Sequence, residues 1–546
     1  MRSLVEYNHL FYTNIMLIPR HHDGRNEESR YLRVRSVAGL DRESGSHNLK
    51  RLVRAAGRLF PGNLFQASNA GMAALAVCLL SGVAAAVAGC GNQYRPVITP
   101  INPTGPAALP SANIAVVTQP GFTPLTSATV GPCTSTTYAT PSIFTLIDFS
   151  GDSVVAQANG GQGPITFSLE QGGTGMYVPN CDGTLTTASA TTGSLLSKFV
   201  QTSTLLPGAA PTNTLLANGN LYVAESGLHG PTCQTTPCVA QMTGSPSALK
   251  QEIPVAPSLI NLTGFSTGER IYAISQGNSS GGNLAWGACA TPGSVTTTGE
   301  ADAIETTTNT VSARLPLGVC PVYGFMTQDG QREFIMNRGS GTVTVINSQL
   351  NALDTQFSPT STITVGAGPV YADYYRTGQL LVTANYDGNS ISIIDASLDT
   401  YGNDSATFGT VLATVQLGAG THPVELSVLQ DGSRVYVANQ GDINAGTPGS
   451  VSIVNLENYT VEKTIPLTAN PHAIGAIYNY PIGKVYVASQ NSPYLTIIRT
   501  DTDTVSDTIE LEGNIVDMHV SAQYPGQSSG ASNYQTESRS VGSGAP

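Results

Sequence analysis

Between about residues 113 and 521 the chain alternates short apolar runs with clusters of Gly, Pro, Asn and Asp. The runs are rich in Val, Ile, Tyr and Thr, and none carries a sustained 3.6-residue apolar period, so they predict strands rather than helices. They also come in a fixed order. A β-branched and aromatic run, as in GSRVYVANQG (432–441), TGQLLVTANYDG (377–388), GQREFIMNRG (330–339) and GKVYVASQN (483–491), is followed across a turn by a second. That second run reads SVSIVN (450–455), SISIID (390–395), TVTVIN (342–347) or YLTIIR (494–499). A third follows, such as TVEKTIPL (460–467) or TVLATVQL (410–417), and a Gly or Asn with Pro then opens a fourth, as in GAGPVYADYY, GTHPVELSVL and ANPHAIGAIY. Weaker copies lie earlier, around MYVPN (176–180), LYVAES (221–226) and IYAISQ (271–276).

Aligning the units places Tyr177, Tyr222, Tyr272, Phe334, Val382, Tyr436 and Tyr486 at one position, spaced by 45, 50, 62, 48, 54 and 50 residues. Four short strands recurring at about 40–50 residues predict a β-propeller, an all-β ring of four-stranded antiparallel blades. With strands named A to D outward, the aligned residues lie on strand B. Ahead of the first full unit stand NIAVVT (113–118), IFTLID (143–148) and SVVAQ (153–157), which read as B, C and D strands without an A. After the last unit stands NIVDMHVS (514–521), an A strand without the rest. Joined, they make a composite blade that closes the ring and removes its open edges. Eight blades are expected, with seven as the alternative.

The last four units resemble the YVTN-repeat β-propellers, whose unit runs x-V-Y-V-[AT]-N, then S-V-S-V-I-D, then T-V-x-x-T-I-x-V-G-x-x-P. The resemblance covers roughly residues 140–520 and fades in the first three units. It implies the propeller fold. Propellers of this shape include lactonases, quinone-dependent dehydrogenases and nitrite reductases, and a shared shape transfers none of those activities. A single Trp and the lack of Gly-His and Trp-Asp dipeptides separate the chain from the WD40 group.

Charge adds an address. A net charge of −12, from 24 basic against 36 acidic residues, gives no reason to expect a nucleic-acid partner. Yet residues 1–65 hold 11 of the basic residues and 6 of the acidic ones. Residues 72–89, MAALAVCLLSGVAAAVAG, are continuously apolar or small, follow Arg51, Arg54 and Arg58, and lead into Val87-Ala88-Gly89-Cys90. That order of basic, apolar and small describes an export signal better than a stable membrane span. Its ending resembles the lipobox of bacterial lipoproteins, which implies that Cys90 is acylated and becomes the mature N-terminus. By the same resemblance, Gly91-Asn92-Gln93, with no Asp beside the Cys, favours the outer membrane. The expected organisation is an N-terminal extension over 1–65, attributed to an over-extended gene start, and a signal peptide over 66–89. A Pro-rich tether over 90–112, the propeller over 113–521 and a disordered Ser/Gly-rich tail over 522–546 complete it.

In such a propeller the B–C and D–A connections open on one face. The longer insertions, about 119–141, 227–237, 276–293 and 440–449, fall in B–C loops, with 397–409 a C–D exception, so that face is the candidate working face. The six cysteines beyond Cys78 and Cys90 all fall there: Cys133, Cys181, Cys233, Cys238, Cys289 and Cys320. An even count in an exported chain suggests disulfides, and loop proximity favours Cys133–Cys181, Cys233–Cys238 and Cys289–Cys320. Cys233 and Cys238 have no matching Cys or His pair for a metal, and no CxxCH, GxSxG, P-loop or dinucleotide fingerprint exists, so no catalytic set, metal or cofactor is assigned. His422 and His472 flank the Pro that opens an A strand in consecutive units, near the expected channel mouth. Glu425, Asp517 and His519 lie on A strands, and His229 is the remaining histidine of the mature region. Trp286, Tyr323 and Tyr371 offer aromatic faces to a ligand. Asp501 and Asp503 fall in a C–D turn and read as turn residues.

The chain is therefore expected to be held on the membrane by its lipid and to act without catalysis, as a platform for a protein, small-molecule or glycan ligand. Two rivals stand beside this. One is a lactonase- or lyase-like enzyme using His422, His472, Glu425 or Asp517 at the channel mouth; the other is a surface structural protein.

Overall fold

The computed structural model describes residues 113–520 apart from 121–139, 150, 170–174, 190–200, 245–246, 265–267, 278–282, 285–287, 328–329, 355–360, 376–378, 402, 430, 444 and 478–482. The expected extension, signal, lipidation site Cys90, tether and tail, together with Cys133 and Trp286, lie outside the described residues. Hydrogen bonding sorts the strands into eight antiparallel blades of four, arranged in a ring. The inner strands of blades 1 to 7 are Ser168–Leu169, Pro211–Ala217, Leu259–Gly264, Pro321–Met326, Pro369–Tyr375, Pro423–Val428 and Asn470–Ile477. Blade 8 is composite. Asn514–Val520 pairs with Asn113–Gln119, which pairs with Ile143–Asp148 and then Ser153–Asn159, so the two ends of the described chain share one sheet. In blade 4 the outer strand is split: Ala352–Leu353 and Thr362–Thr364 both pair with Thr342–Asn347. One 3-10 turn, Ala288–Ala290, is the only helical element among the described residues, and none of their helices is long and apolar enough to cross a membrane.

The period of two decides how blades stack, because successive side chains of a strand point to opposite faces. In Asn113–Gln119, Ile114 and Val116 pack with Ala473, Tyr486 and Leu495 of blade 7, whereas Ala115 and Val117 pack with Phe167, Leu169 and Met176 beside blade 1. Both faces of the middle strands are thus covered, which is why they read as nearly continuous apolar runs. The outer strands face water: in Thr460–Pro466 every residue but Ile465 is exposed.

A polar clasp recurs at the seams. The Tyr222 hydroxyl of blade 2 donates to Asn309 Oδ1 of blade 3 at 2.9 Å, and that of Tyr486 in blade 7 donates to Asp152 Oδ1 of blade 8 at 2.8 Å. The Tyr436 hydroxyl of blade 6 bonds Asp503 of blade 7 in the same way. All three acceptors sit in C–D turns with left-handed backbone, φ 55° at Asn309, 49° at Asp152 and 51° at Asp503, a conformation Asn and Asp adopt more readily than most residues. Burial raises each phenol, Tyr222 to about 12, so all three remain donors. Lys484 and Arg434 add ion pairs to Asp152 (2.7 Å) and Asp503 (2.5 Å). Asp503, expected to serve only its own turn, therefore also braces the neighbouring blade. The long C–D loop of blade 5 is anchored similarly: Arg332 of blade 4 lies 2.7 Å from Asp404 and 3.0 Å from Asp354.

Candidate functional site

A β-bulge recurs at one place in the inner strands. Pairing with the second strand slips between Pro211 and Asn213, Leu259 and Asn261, Pro321 and Tyr323, Pro369 and Tyr371, Pro423 and Glu425, and Pro471 and Ala473. In blade 8 the same slip skips Val516, so that Asp517 follows it. A bulge re-aims the side chains around it. Tyr323, Tyr371, Glu425 and Asp517, four separate candidates in the sequence, are thus one structural position in four blades.

That position reaches the next blade. Glu425 Oε1 accepts the Ile474 N–H at 3.4 Å, Asn213 Oδ1 the Leu262 N–H at 3.3 Å, and Asp517 Oδ2 the Phe167 N–H at 3.3 Å. Tyr323 stacks on Tyr371 with ring centroids 4.7 Å apart. Asp517 is fully buried and also accepts from Thr166 Oγ1 at 2.6 Å and faces His519 Nε2 at 3.3 Å. Burial works against its charge, but His519 and these hydrogen bonds prevail and hold the carboxyl below its usual range.

The histidines are placed differently from each other. His422 precedes its strand, with φ 48°, its ring 4.8 Å from that of Tyr386 and its Nδ1 3.2 Å from the Tyr386 carbonyl. His472 lies inside its strand, at the bulge, because pairing already begins at Asn470 opposite Gln490. Its Nε2–H donates to the Val516 carbonyl of blade 8 at 2.9 Å, and burial holds it below the ordinary histidine range.

The structure joins Cys233 to Cys238 and Cys289 to Cys320, and Cys181 is disulfide-bonded as well. The Cys289–Cys320 bridge has a sequence separation of 31 and ties the B–C insertion of blade 3 to the D–A step entering blade 4. Closing a loop of that length restricts the unfolded chain by roughly 3.5 kcal/mol on the chain-entropy estimate.

Against this bridge lies a cavity of about 220 Å³, lined by Thr291, Val295, Ser340, Arg338 and Asp387 among others, all from B–C or D–A connections. Arg338 has a nearly buried side chain and forms a two-pronged pair with Asp387, Nε to Oδ2 at 3.1 Å and Nη2 to Oδ1 at 3.0 Å. Its Nη2 also donates to the Ala290 carbonyl at 3.0 Å, and its guanidinium lies 4.7 Å from the Tyr386 ring centroid. Tyr386, raised to about 12 by burial, donates to Gln440 Oε1 at 3.0 Å. One connected set of side chains therefore spans blades 4 to 6 on this face and reaches blade 3 through the Ala290 carbonyl. The site offers a guanidinium and a carboxylate already neutralising one another, hydroxyls, and loop backbone.

Arg338, Tyr386 and Asp387 were not among the sequence candidates. They occupy B–C turns, in Asn337-Arg338-Gly339 and Asn385-Tyr386-Asp387-Gly388, where charged and aromatic residues read as turn decoration. An Arg and an Asp in equivalent turns of consecutive units was the available signal.

No family model matches this chain, and no curated protein matches its sequence. Among solved structures it is similar in fold to apo AztD from Citrobacter koseri, with a TM-score of 0.46, 12% identity, and 75% of this chain and 98% of that chain covered. A putative 6-phosphogluconolactonase from Bacteroides fragilis gives a TM-score of 0.44 and 11% identity over 76% of this chain and 99% of that one. The dihydro-heme d1 dehydrogenase NirN in complex with DHE gives 0.47 and 11%, covering 79% and 75%.

Proposed function

We propose that the protein is a lipid-anchored propeller of the cell envelope that binds a small, neutral, polyhydroxylated ligand through its B–C/D–A face, with the cavity beside Arg338 and Asp387 as the binding site. The observation that carries this reading is the coincidence of that cavity with the insertion-bearing, disulfide-pinned face. A pocket near 220 Å³ is small, which suits a sugar-sized molecule rather than a peptide. Because Asp387 already neutralises Arg338, a ligand needs no net charge; it needs hydroxyls that accept from one partner and donate to the other.

The test is a thermal-shift panel of monosaccharides on the oxidised full-length protein, repeated on Thr291→Trp. Thr291 lines the cavity from an exposed position, so the larger side chain fills the space without entering the core. A stabilising sugar whose effect disappears in Thr291→Trp supports the reading. A panel with no stabilising member, or equal shifts in both proteins, overturns it.

A further inference from the structure

A second polar cluster lies apart from that cavity, in blade 2. Glu225 ends the strand Asn220–Glu225, His229 follows in the B–C loop, and Glu252 comes from the outer strand Ala248–Pro254. The three side chains are 1%, 0% and 6% exposed. Two carboxylates and an imidazole are thus buried together, and such groups need compensation by charge.

The hydrogen bonding shows where that compensation is missing. His229 Nδ1 lies 2.8 Å from the Gly227 carbonyl, which can only accept, so Nδ1 carries the hydrogen. Its Nε2 then turns to the two acids, 2.9 Å from Glu252 Oε1 and 3.2 Å from Glu225 Oε2. A neutral ring with its hydrogen on Nδ1 presents a bare lone pair to both oxygens. Even a proton on Nε2 serves only Glu252, and Glu225 Oε2 is left buried with no hydrogen-bond partner. One cation among the three atoms satisfies all of them.

We propose that Glu225 Oε2, His229 Nε2 and Glu252 Oε1 form a binding site for a divalent first-row transition-metal ion. The donor set of one imidazole nitrogen and two carboxylate oxygens is one that zinc-class ions accept, and three protein ligands leave a position open for exchange. Ligand atoms of His229, Glu252 and Cys233 lie within 4.8 Å of one another, and Glu225 joins them through His229. Cys233 supplies no thiolate, because it is bonded to Cys238. Its role is to hold the loop: the His229 N–H donates to the Cys233 carbonyl at 3.0 Å, inside the segment that the disulfide fixes. The Gly227 carbonyl on Nδ1 orients the ring from behind, as outer partners of metal-bound histidines do. The sequence concealed this site because Glu252 arrives from a different strand and the only visible metal pattern, the cysteine pair, is used in a disulfide.

The test is zinc titration by calorimetry on chelator-treated, oxidised full-length protein, set beside Glu225→Gln and Glu252→Gln. The expected result is one zinc per chain, with affinity reduced at least tenfold in each variant. Mass spectrometry confirms that Cys233–Cys238 is intact, and cobalt substitution gives a visible spectrum that is lost in His229→Gln. Absence of stoichiometric zinc binding, or unchanged affinity in the folded carboxamide variants, overturns the proposal and leaves His229, Glu225 and Glu252 as a buried polar cluster that braces the loop.

Discussion

Replacing Asp517 with alanine distinguishes a brace from a functional acid. Asp517 lies on the last strand of the ring, and its carboxylate takes the Thr166 hydroxyl and the Phe167 N–H at the seam with blade 1. Alanine leaves both donors buried, since Thr166 and Phe167 are 1% and 0% exposed. An orphaned buried donor costs about 1–3 kcal/mol, so with two of them Asp517→Ala is expected to destabilise the propeller by about 2–6 kcal/mol. That is a large share of the ~5–15 kcal/mol typical of a folded domain. The assay is equilibrium urea unfolding of the oxidised protein, followed by circular dichroism. Thr166→Val and the double variant complete the cycle, with an expected coupling of about 1–2 kcal/mol. If Asp517→Ala unfolds within about 0.5 kcal/mol of the parent while ligand binding or catalysis is lost, the brace is the wrong account and Asp517 belongs to a site.

Acid should favour one part of the fold. Burial raises the Asp302 carboxyl from 3.8 to about 6, so the folded state takes up its proton before the unfolded state does, and its contribution to stability grows as pH falls from 7 to 5, by about 1 kcal/mol. Asp302→Asn keeps an acceptor for the Ala256 N–H and removes the titration; the parent's melting temperature should therefore gain on the variant's across that range, and a pH-independent gap refutes the assignment. For the anchor, Cys90→Ala is expected to abolish fatty-acid labelling and move the protein to the soluble fraction, whereas a variant that stays membrane-bound, with neither form labelled, rules the lipid anchor out.

Much of the fold was legible because a propeller writes its repeat in short-range pattern. Period-two runs and their turn residues located the strands, and the unmatched runs at 113–157 and 514–521 predicted the composite blade. What stayed hidden was set between blades. Nothing local tells that Tyr222 will meet Asn309, or that Arg338 will meet Asp387, because those partners are brought together only by stacking. The bulge was equally invisible: pairing starts at Asn470 and the slip falls at His472, which places that half-buried residue inside the strand rather than at its entrance. Glu425 and Asp517 looked like candidate chemistry for the same reason, since an acid on an inner strand reads alike whether it faces a ligand or a backbone N–H of the next blade.

The tyrosine clasp bears on how such a ring can arise and change. A blade with both halves, a second-strand tyrosine for one neighbour and a C–D turn Asp or Asn for the other, contains its own docking instructions. A tandem copy of its gene segment would fit against its parent without any new surface having to evolve. The seam where the chain's two ends meet obeys the same instructions: Tyr486 and Asp152 are 334 residues apart in sequence, yet they repeat the contact of Tyr436 with Asp503, 67 apart. To this interface, inheritance from an adjacent repeat and inheritance from the opposite end of the gene are the same event.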